Sequence, residues 1–260
     1  MFIPRIIPVL LLKGKGLVKT IKFNKKTATY IGDPINAVRI FNDMEADELV
    51  FLDILASLEN RSVSVETVKD IGDEAFMPFA VGGGIKTVDQ IKELINAGAE
   101  KVVLNTSAIE TPELITLASG LFGNQSIIVS IDVKKNRWGK YKIYSHCGSK
   151  ETKLDPVEYA RQVALLGAGE IMINSIDRDG TMEGYDLEII QKLADAVSIP
   201  LIACGGASKL IDFNGAVKTG NASAVAAGSI FVFHGPRRAV LINYPTKEEM
   251  KEIFNDRQNK

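Results

Sequence analysis

Short apolar runs rich in β-branched residues alternate along this chain with longer stretches in which apolar residues recur every three or four positions. The short runs predict buried strands, and the longer stretches predict amphipathic helices. The eight predicted strands begin at Arg5 (RIIPVLL), Glu48 (ELVFLDI), Phe79 (FAVGG), Lys101 (KVVLN), Ile127 (IIVSID), Glu170 (EIMINSI), Leu201 (LIACGG) and Ala224 (AVAAG). Predicted helices between them cover residues 88–97, 112–121, 156–166 and 187–196.

This order of elements predicts the fold class. Strands separated by single helices pair in parallel through crossover connections. Eight such units in about 250 residues fit an α/β protein of the closed (β/α)8 TIM barrel type. An open, doubly wound sheet is the alternative. We expect a single domain over residues 1–260.

An internal repeat supports the barrel. Three features match between the two halves at offsets of 122 or 123 residues: Gly82-Gly83 with Gly205-Gly206, Asn105-Thr106 with Gly228-Ser229, and Glu48 with Glu170. A nearly constant offset indicates two homologous half-barrels. We expect them to cover about 1–123 and 124–245, followed by a helix that runs to residue 260.

Two segments interrupt the regular alternation. The Lys-rich residues 13–26 follow the first strand, and we expect a long, mobile loop there, at the end of the barrel where such enzymes keep their lids. Residues 134–153 follow the fifth strand, and they contain a predicted hairpin around Gly139.

Composition narrows the function classes. The net charge of −1 gives no overall field for nucleic acid or for an anionic membrane. Cys147 and Cys204 are too few for a disulfide framework, which predicts free thiols in a reducing compartment. The apolar start is too short to span a bilayer, so we expect a soluble, cytoplasmic protein. His146 and His234 are far apart in the sequence, which argues against a metal site and favours surface or hydrogen-bonded roles.

Turns at four predicted strand ends, three of which contain glycine, are candidate anion sites, because glycine leaves backbone N–H groups unobstructed and the turns lead into helices. They lie at 82–84 and 105–107 in the first half, and at 204–207 and 227–229 in the second. The glycines could instead serve only tight turns. Their occurrence at matched positions in both halves favours two phosphate sites, and hence a ligand with a phosphate at each end.

Several motifs identify a family resemblance. The segments IDRDGT and GYD (residues 176–181 and 184–186), FAVGGGI, ELVFLDI, GAEKVVLNTSAI and IIPVL resemble the cyclase subunit of imidazole glycerol phosphate synthase, HisF. The likeness runs from Arg5 to about Phe233. It implies a subunit that uses ammonia to cleave and cyclise a bisphosphorylated ribulosyl intermediate, without a cofactor. The ammonia comes from a glutaminase (HisH-like) docked on the N-terminal face of the barrel.

The resemblance also assigns roles to individual residues. One phosphate would be held by Gly84, Asn105 and Thr106, and the other by Asp179, Gly180, Gly206, Gly228 and Ser229. Lys19 would close over the substrate. The reaction centre would contain Asp53, Asn174 (where the family usually has threonine) and the catalytic carboxylate Asp132. Cys204 replaces a usual serine.

The second catalytic carboxylate of the family is missing. Leu11, in VLLLK, stands at its position, and Leu11 precedes Asp132 by 121 residues, close to the repeat offsets. A positioned acid or base contributes about 10²–10⁴-fold in rate, so its loss should impair the ordinary cyclisation. Asp33 and Lys19 are conceivable substitutes. Asp132 itself could be only a capping or loop-anchoring carboxylate.

Four charged residues open inward-facing strands: Arg5, Glu48, Lys101 and Glu170. They predict an ion-pair ring at the N-terminal rim, where stabilisation alone is a sufficient explanation. The resemblance adds that these positions gate the entry of ammonia. Glu100 stands where the family has an aspartate that faces the glutaminase.

Three functions remain open at this point. The chain could be a divergent subunit that delivers ammonia to another acceptor, resembling components that support acetamidino formation on surface-polysaccharide sugars. It could be the ordinary cyclase of histidine biosynthesis. It could also be a non-catalytic barrel that activates the glutaminase and conducts ammonia.

Overall fold

The computed structural model describes residues 4–255. Its strands are β1 (Arg5–Lys13), β2 (Gly16–Ile21), β3 (Asn24–Gly32), β4 (Leu49–Asp53), β5 (Phe79–Gly82), β6 (Lys101–Leu104), β7 (Ile127–Lys135), β8 (Tyr141–Ser145), β9 (Lys150–Glu151), β10 (Glu170–Ser175), β11 (Leu201–Cys204), β12 (Ala224–Ala227), β13 (Phe233–His234) and β14 (Ala239–Val240). Its α-helices are α1 (Pro34–Asp43), α2 (Val65–Glu74), α3 (Val88–Asn96), α4 (Thr106–Glu110), α5 (Glu113–Phe122), α6 (Pro156–Leu165), α7 (Leu187–Ala194), α8 (Leu210–Lys218), α9 (Ser229–Val232) and α10 (Lys247–Phe254).

Eight parallel strands close into a barrel in the order β1, β4, β5, β6, β7, β10, β11 and β12, and β12 pairs back onto β1. A line drawn through the paired residues once around the barrel starts at residue 13 of β1 and returns to β1 at residue 5. This displacement of eight residues is the shear that a TIM barrel requires. All eight predicted strands and the four predicted helices are confirmed. The open-sheet alternative is wrong, because the β12–β1 pairing leaves no edge.

Local sequence explains where the helices begin. The Asp33 carboxylate accepts hydrogen bonds from the backbone of Ile35 and Asn36, and a proline follows it at the start of α1. Asp155 caps α6 in the same way. At α3, Thr87 and Gln90 form a reciprocal capping box. These caps satisfy N–H groups that the first turn of a helix leaves free.

The segment after the first strand differs from the prediction. Residues 13–26 do not form an irregular loop, because β2 pairs antiparallel with the end of β1 and with β3. The hairpin predicted around Gly139 is confirmed as β7 and β8. In the C-terminal tail, α10 ends at Phe254, and the predicted extension over residues 256–260 lies outside the described residues.

Because of this shear, the side chains that face the barrel interior form successive layers, each with residues from alternate strands. Two successive layers above the N-terminal rim are wholly apolar, and they consist of Ile7, Ala80, Ile128, Ile202, Val50, Val103, Met172 and Ala226. The next layer contains Val9, Gly82, Ser130 and Cys204, and the one above it contains Leu52, Asn105, Asn174 and Gly228. Leu11 and Asp132 lie highest, at equal height on β1 and β7. Polar chemistry is therefore confined to the two ends of the barrel.

The registers also refine the internal repeat. β5 ends at Gly82 and β11 ends at Cys204, so Gly83-Gly84 is the structural equivalent of Gly205-Gly206. The sequence match of Gly82-Gly83 with that pair was wrong by one residue, because three consecutive glycines leave the alignment ambiguous.

Candidate active site

A cavity of about 300 Å³ opens at the C-terminal ends of the barrel strands. Its lining brings together every residue predicted for the reaction centre and the two anion sites: Leu11, Lys19, Asp53, Gly84, Asn105, Thr106, Asp132, Asn174, Asp179, Gly180, Gly206, Gly228 and Ser229. The expectation that the glycine turns share one face of the barrel is thus met. Their roles in binding or catalysis stay predictions.

The first glycine turn has a backbone that only glycine adopts easily. Gly83 and Gly84 have φ values of 126° and 64°, and a Cβ at Gly84 would overlap the carbonyl of Arg61. Beside this turn, the Thr106 hydroxyl accepts a hydrogen bond from the backbone N–H of His146 at 3.0 Å. The hydroxyl in turn donates to Asn105 Oδ1 at 3.4 Å, a long bond that an anionic ligand in the cavity could replace.

The second turn is built in the same way. Gly205 and Gly206 have φ values of 89° and 112°, and a Cβ at Gly206 would overlap the carbonyl of Gly184. A Cβ at Gly228 would overlap the ammonium group of Lys19. The cation therefore lies directly against the second turn, where a bound phosphate would meet it.

Asp132 is 8% exposed at the end of β7. Ser130 Oγ donates to its Oδ1 at 3.0 Å, and Asn105 Nδ2 donates to its Oδ2 at 3.3 Å. Burial raises the pKa of Asp132 to about 7, although the bond from Ser130 opposes that rise. A carboxyl group with a pKa near neutrality is suited to proton transfer. None of the described helices has Asp132 as its N-cap, and the bond from Asn105, which precedes α4, is compatible with the loop-anchoring alternative.

Lys19 and Asp179 lie together under the β2–β3 hairpin. Lys19 Nζ donates to the carbonyl of Val9 at 2.6 Å, and burial lowers its pKa. Burial also raises the pKa of Asp179 to about 6, against the attraction of Lys19. The backbone N–H of Lys22 donates to the carbonyl of Asp179 at 2.9 Å, which fastens the hairpin to the loop after β10.

Asp53 lines the cavity, but its carboxylate is already engaged. It accepts from the backbone of Leu55 and Ala56, and Arg61 Nη1 donates to its Oδ2 at 2.6 Å. These bonds shape the loop after β4, which carries the carbonyl packed against Gly84. Asp53 therefore positions the first glycine turn.

Leu11 forms part of the cavity wall with Leu52, and both pack against the apolar interior. Of the acids that the structure describes, only Asp53, Glu110, Asp132 and Asp179 line the cavity. Asp33, considered as a substitute, caps α1 and is absent from the cavity lining. Lys19 reaches the cavity, but its ammonium group is bound to Val9. The cavity wall at Leu11 and Leu52 is thus apolar.

The sequence missed two residues of the cavity wall, His146 and Cys147. Both have left-handed backbones, with φ values of 51° and 54°, in the turn between β8 and β9. His146 Nδ1 lies 3.0 Å from Ser145 Oγ, and Cys147 Sγ donates to the carbonyl of Ile54 at 3.2 Å. The contact with Ser145 agrees with the hydrogen-bonded role expected for His146, and the β7–β8 pairing additionally folds this turn back over the cavity.

The N-terminal rim carries the predicted ion-pair ring. Arg5 contacts Glu48 at 2.5 Å and Glu170 at 3.0 Å, and Lys101 contacts the same two glutamates at 2.9 and 3.1 Å. Glu48 is only 1% exposed. Glu100, just before β6, is exposed at this rim. The ring closes the bottom of the two apolar layers.

Residues 4–255 contain no cluster of three or more His, Cys, Asp or Glu side chains suited to a metal ion. The helices in the same range are too short or too polar to span a bilayer.

An eight-stranded parallel barrel with helices between its strands defines a TIM barrel, and its cavity lies at the carboxyl ends of the strands. Residues 5–236 match the family described as histidine biosynthesis protein. An imidazole glycerol phosphate synthase subunit HisF of Alkaliphilus metalliredigens is 45% identical over 90% of this chain and 92% of its own length. A provisionally named subunit hisF2 of Pseudomonas aeruginosa is 47% identical, over 93% of this chain and 95% of its own. A provisionally named HisF of Leptospira interrogans is 44% identical, over 96% and 98%. The chain belongs to the histidine biosynthesis protein family and, within it, to the HisF group.

Proposed function

We propose that this protein is a HisF-type subunit that takes ammonia from a glutaminase, binds a ligand with two phosphates, and lacks the family's usual two-acid cyclisation. The observation that carries the proposal is Leu11. It faces the cavity at the height of Asp132, between two glycine turns that suit anions.

One acid is left where the family's reaction uses two. Asp132 has a pKa near neutrality and two hydrogen-bond donors that hold it, so one proton-transfer group is in place. Leu11 can neither donate nor accept a proton. The loss of a positioned acid or base lowers rates by about 10²–10⁴-fold.

The barrel below the cavity supports a role in receiving ammonia. The rim ring is held by ion pairs that can exchange partners, because Arg5 and Lys101 each contact both glutamates. Above it lie two layers without a polar side chain, an environment that disfavours ions far more than a small neutral molecule. In the proposal the glutaminase docks at this rim, with Glu100 as one contact.

For the acceptor of ammonia, we propose a sugar of a surface polysaccharide, with a separate amidotransferase doing the chemistry. Support comes from the altered first strand, which resembles the acetamidino-forming components noted above. In the same setting the barrel could act without chemistry of its own, as activator and conduit.

A second candidate is the ordinary cyclase. It is favoured by the Alkaliphilus relative, which is named as a synthase subunit without qualification. It is also favoured by Lys19, Asp132 and Asp179, which all reach the cavity. This candidate needs a substitute for the missing acid, and the cavity wall near Leu11 holds none.

Leu11→Asp tests the proposal against a matched control, Leu52→Asp. Both leucines line the same wall, but only Leu11 faces Asp132 at the family's catalytic position. With the bisphosphorylated intermediate of histidine biosynthesis and high ammonium, we expect turnover to appear in Leu11→Asp alone. Equal gain in both variants, or gain in neither with both folded, contradicts the assignment of Leu11. Co-purification with candidate glutaminases tests the partner separately.

A further inference from the structure

Two lysines of the β2–β3 hairpin line the cavity, Lys19 on β2 and Lys25 on β3. Between the strands, Lys22 and Phe23 form the tip of the hairpin. Their φ values of 52° and 59° are those of the tight two-residue turn whose twist matches that of the paired strands. The tip is thus a defined turn, and it determines how β3 returns over the cavity.

The tip of the hairpin lies on the side of the cavity that contains the first glycine turn. A Cβ at Gly148 would lie 2.9 Å from Phe23 Cδ2, so Phe23 packs directly against the turn between β8 and β9. The same turn contains His146, whose backbone N–H donates to the Thr106 hydroxyl. The strand that carries Lys25 therefore begins beside the first turn, whereas Lys19 lies at the second.

The thiol of Cys147 indicates where the Lys25 ammonium group lies. Burial raises the pKa of Cys147 to about 11, and the positive charge of Lys25 opposes that rise, which requires the two groups to be close. Cys147 Sγ is bound to the carbonyl of Ile54, in the loop that packs against Gly84. The thiol is protonated at neutral pH, so it is not an anion that Lys25 could neutralise.

The part-buried Lys25 has no counter-charge of its own in the structure. Within residues 4–255, its Nζ forms no hydrogen bond and no ion pair. The two acids beside the first turn are already paired, Asp53 with Arg61 at 2.6 Å and Glu110 with Lys150 at 3.2 Å. An unpaired ammonium group in a cavity wall favours an anion that comes from outside the protein.

We propose that Lys25 binds the phosphate held at the first glycine turn, so that the β2–β3 hairpin supplies one cation to each end of a bisphosphate. Lys19 is the cation at the second turn, and the paired strands set the distance between the two. The other lysine beside the first turn, Lys86, is already bound to Asn60. The proposal rests on the two-phosphate ligand of the proposed function, and it names a residue that makes the site select bisphosphates over monophosphates.

Titration calorimetry with alkanediol bisphosphates and the matching alkyl monophosphates tests the role of Lys25. A series of chain lengths identifies the bisphosphate that the wild type binds most tightly. For that compound we expect Lys25→Met to weaken binding about 10-fold, the effect of one lost charge-assisted hydrogen bond, and Lys25→Arg to retain most of the affinity. Lys26→Met is the matched control, because Lys26 is exposed on the same strand and does not line the cavity.

Double variants, titrated with inorganic phosphate, assign Lys25 to one of the two turns. Adding Lys25→Met to Gly84→Ala should cause no further loss, because both changes act on the same bound phosphate. Adding it to Lys19→Met should weaken binding at both turns, with losses that add. Thr106→Val, which removes the hydroxyl beside the first turn, replaces Gly84→Ala if that variant does not fold.

Unchanged bisphosphate affinity in folded Lys25→Met, or an equal loss in Lys26→Met, overturns the assignment of Lys25. A further loss when Lys25→Met is added to the first-turn variant overturns it as well. In these cases, a wild type that prefers the bisphosphate to the monophosphate still supports the proposed function. Equal affinity of the wild type for both compounds contradicts the two-phosphate ligand itself.

Discussion

Asp132→Asn should change how stability depends on pH. In the folded protein burial raises the pKa of Asp132 from 3.8 to about 7, so between these values the folded state holds a proton that the unfolded state has lost. Stability from this group is therefore complete below pH 3.8 and is lost as pH rises to 7. The difference corresponds to about 4 kcal/mol.

Asparagine keeps the shape of the side chain, and its oxygen can still accept from Ser130, but it does not ionise. Between about pH 4 and pH 7 we expect the free energy of unfolding to fall less in Asp132→Asn than in the wild type, by about 3–5 kcal/mol in total. Urea unfolding at a series of pH values measures both curves. Asp177→Asn, at a carboxylate that binds the backbone of Lys135 at the surface, is the control. Parallel curves for wild type and Asp132→Asn would refute the buried, proton-holding state of Asp132.

Three further outcomes follow from the geometry. Gly84→Ala should destabilise the fold by more than about 1 kcal/mol and remove phosphate binding at the first turn, so that calorimetry with inorganic phosphate detects one site fewer, because its φ is positive and a Cβ meets Arg61; Gly120→Ala, with open space around it, should do neither. Glu48→Gln should cost about 3–5 kcal/mol in urea unfolding, because it leaves two cations of the rim ring poorly compensated; a change no larger than that of Glu188→Gln at the surface would contradict the ring's role. Lys19→Met should weaken phosphate binding at the second turn while the fold persists, and unchanged affinity would contradict the contact with Gly228.

Most of the barrel could be predicted from sequence because its signals are local. Period-two and apolar runs mark the strands, and caps such as Thr87 with Gln90 mark the helix starts. The glycine turns could be predicted too, since a left-handed backbone at a strand end requires that residue type. The position of Leu11 opposite Asp132 could be inferred from the family resemblance together with the internal repeat.

What the sequence could not show depends on contacts between distant segments. The sequence predicts a loop where the β2–β3 hairpin lies, because lysines interrupt the apolar pattern of β2, whose buried side includes Val18. No sequence pattern indicates that His146 lines the cavity, because it reaches the cavity only through the pairing of β8 with β7. The engagement of Asp53 by Arg61 is likewise a property of the assembled site.

The central claim is that a leucine in place of an acid has removed the family's ordinary cyclisation from an otherwise preserved cavity. Turnover of the wild-type protein with the bisphosphorylated intermediate and saturating ammonium measures this directly. The account predicts a rate at least about 10²-fold below that of a two-acid HisF assayed alongside it. A comparable rate in the two proteins would contradict it.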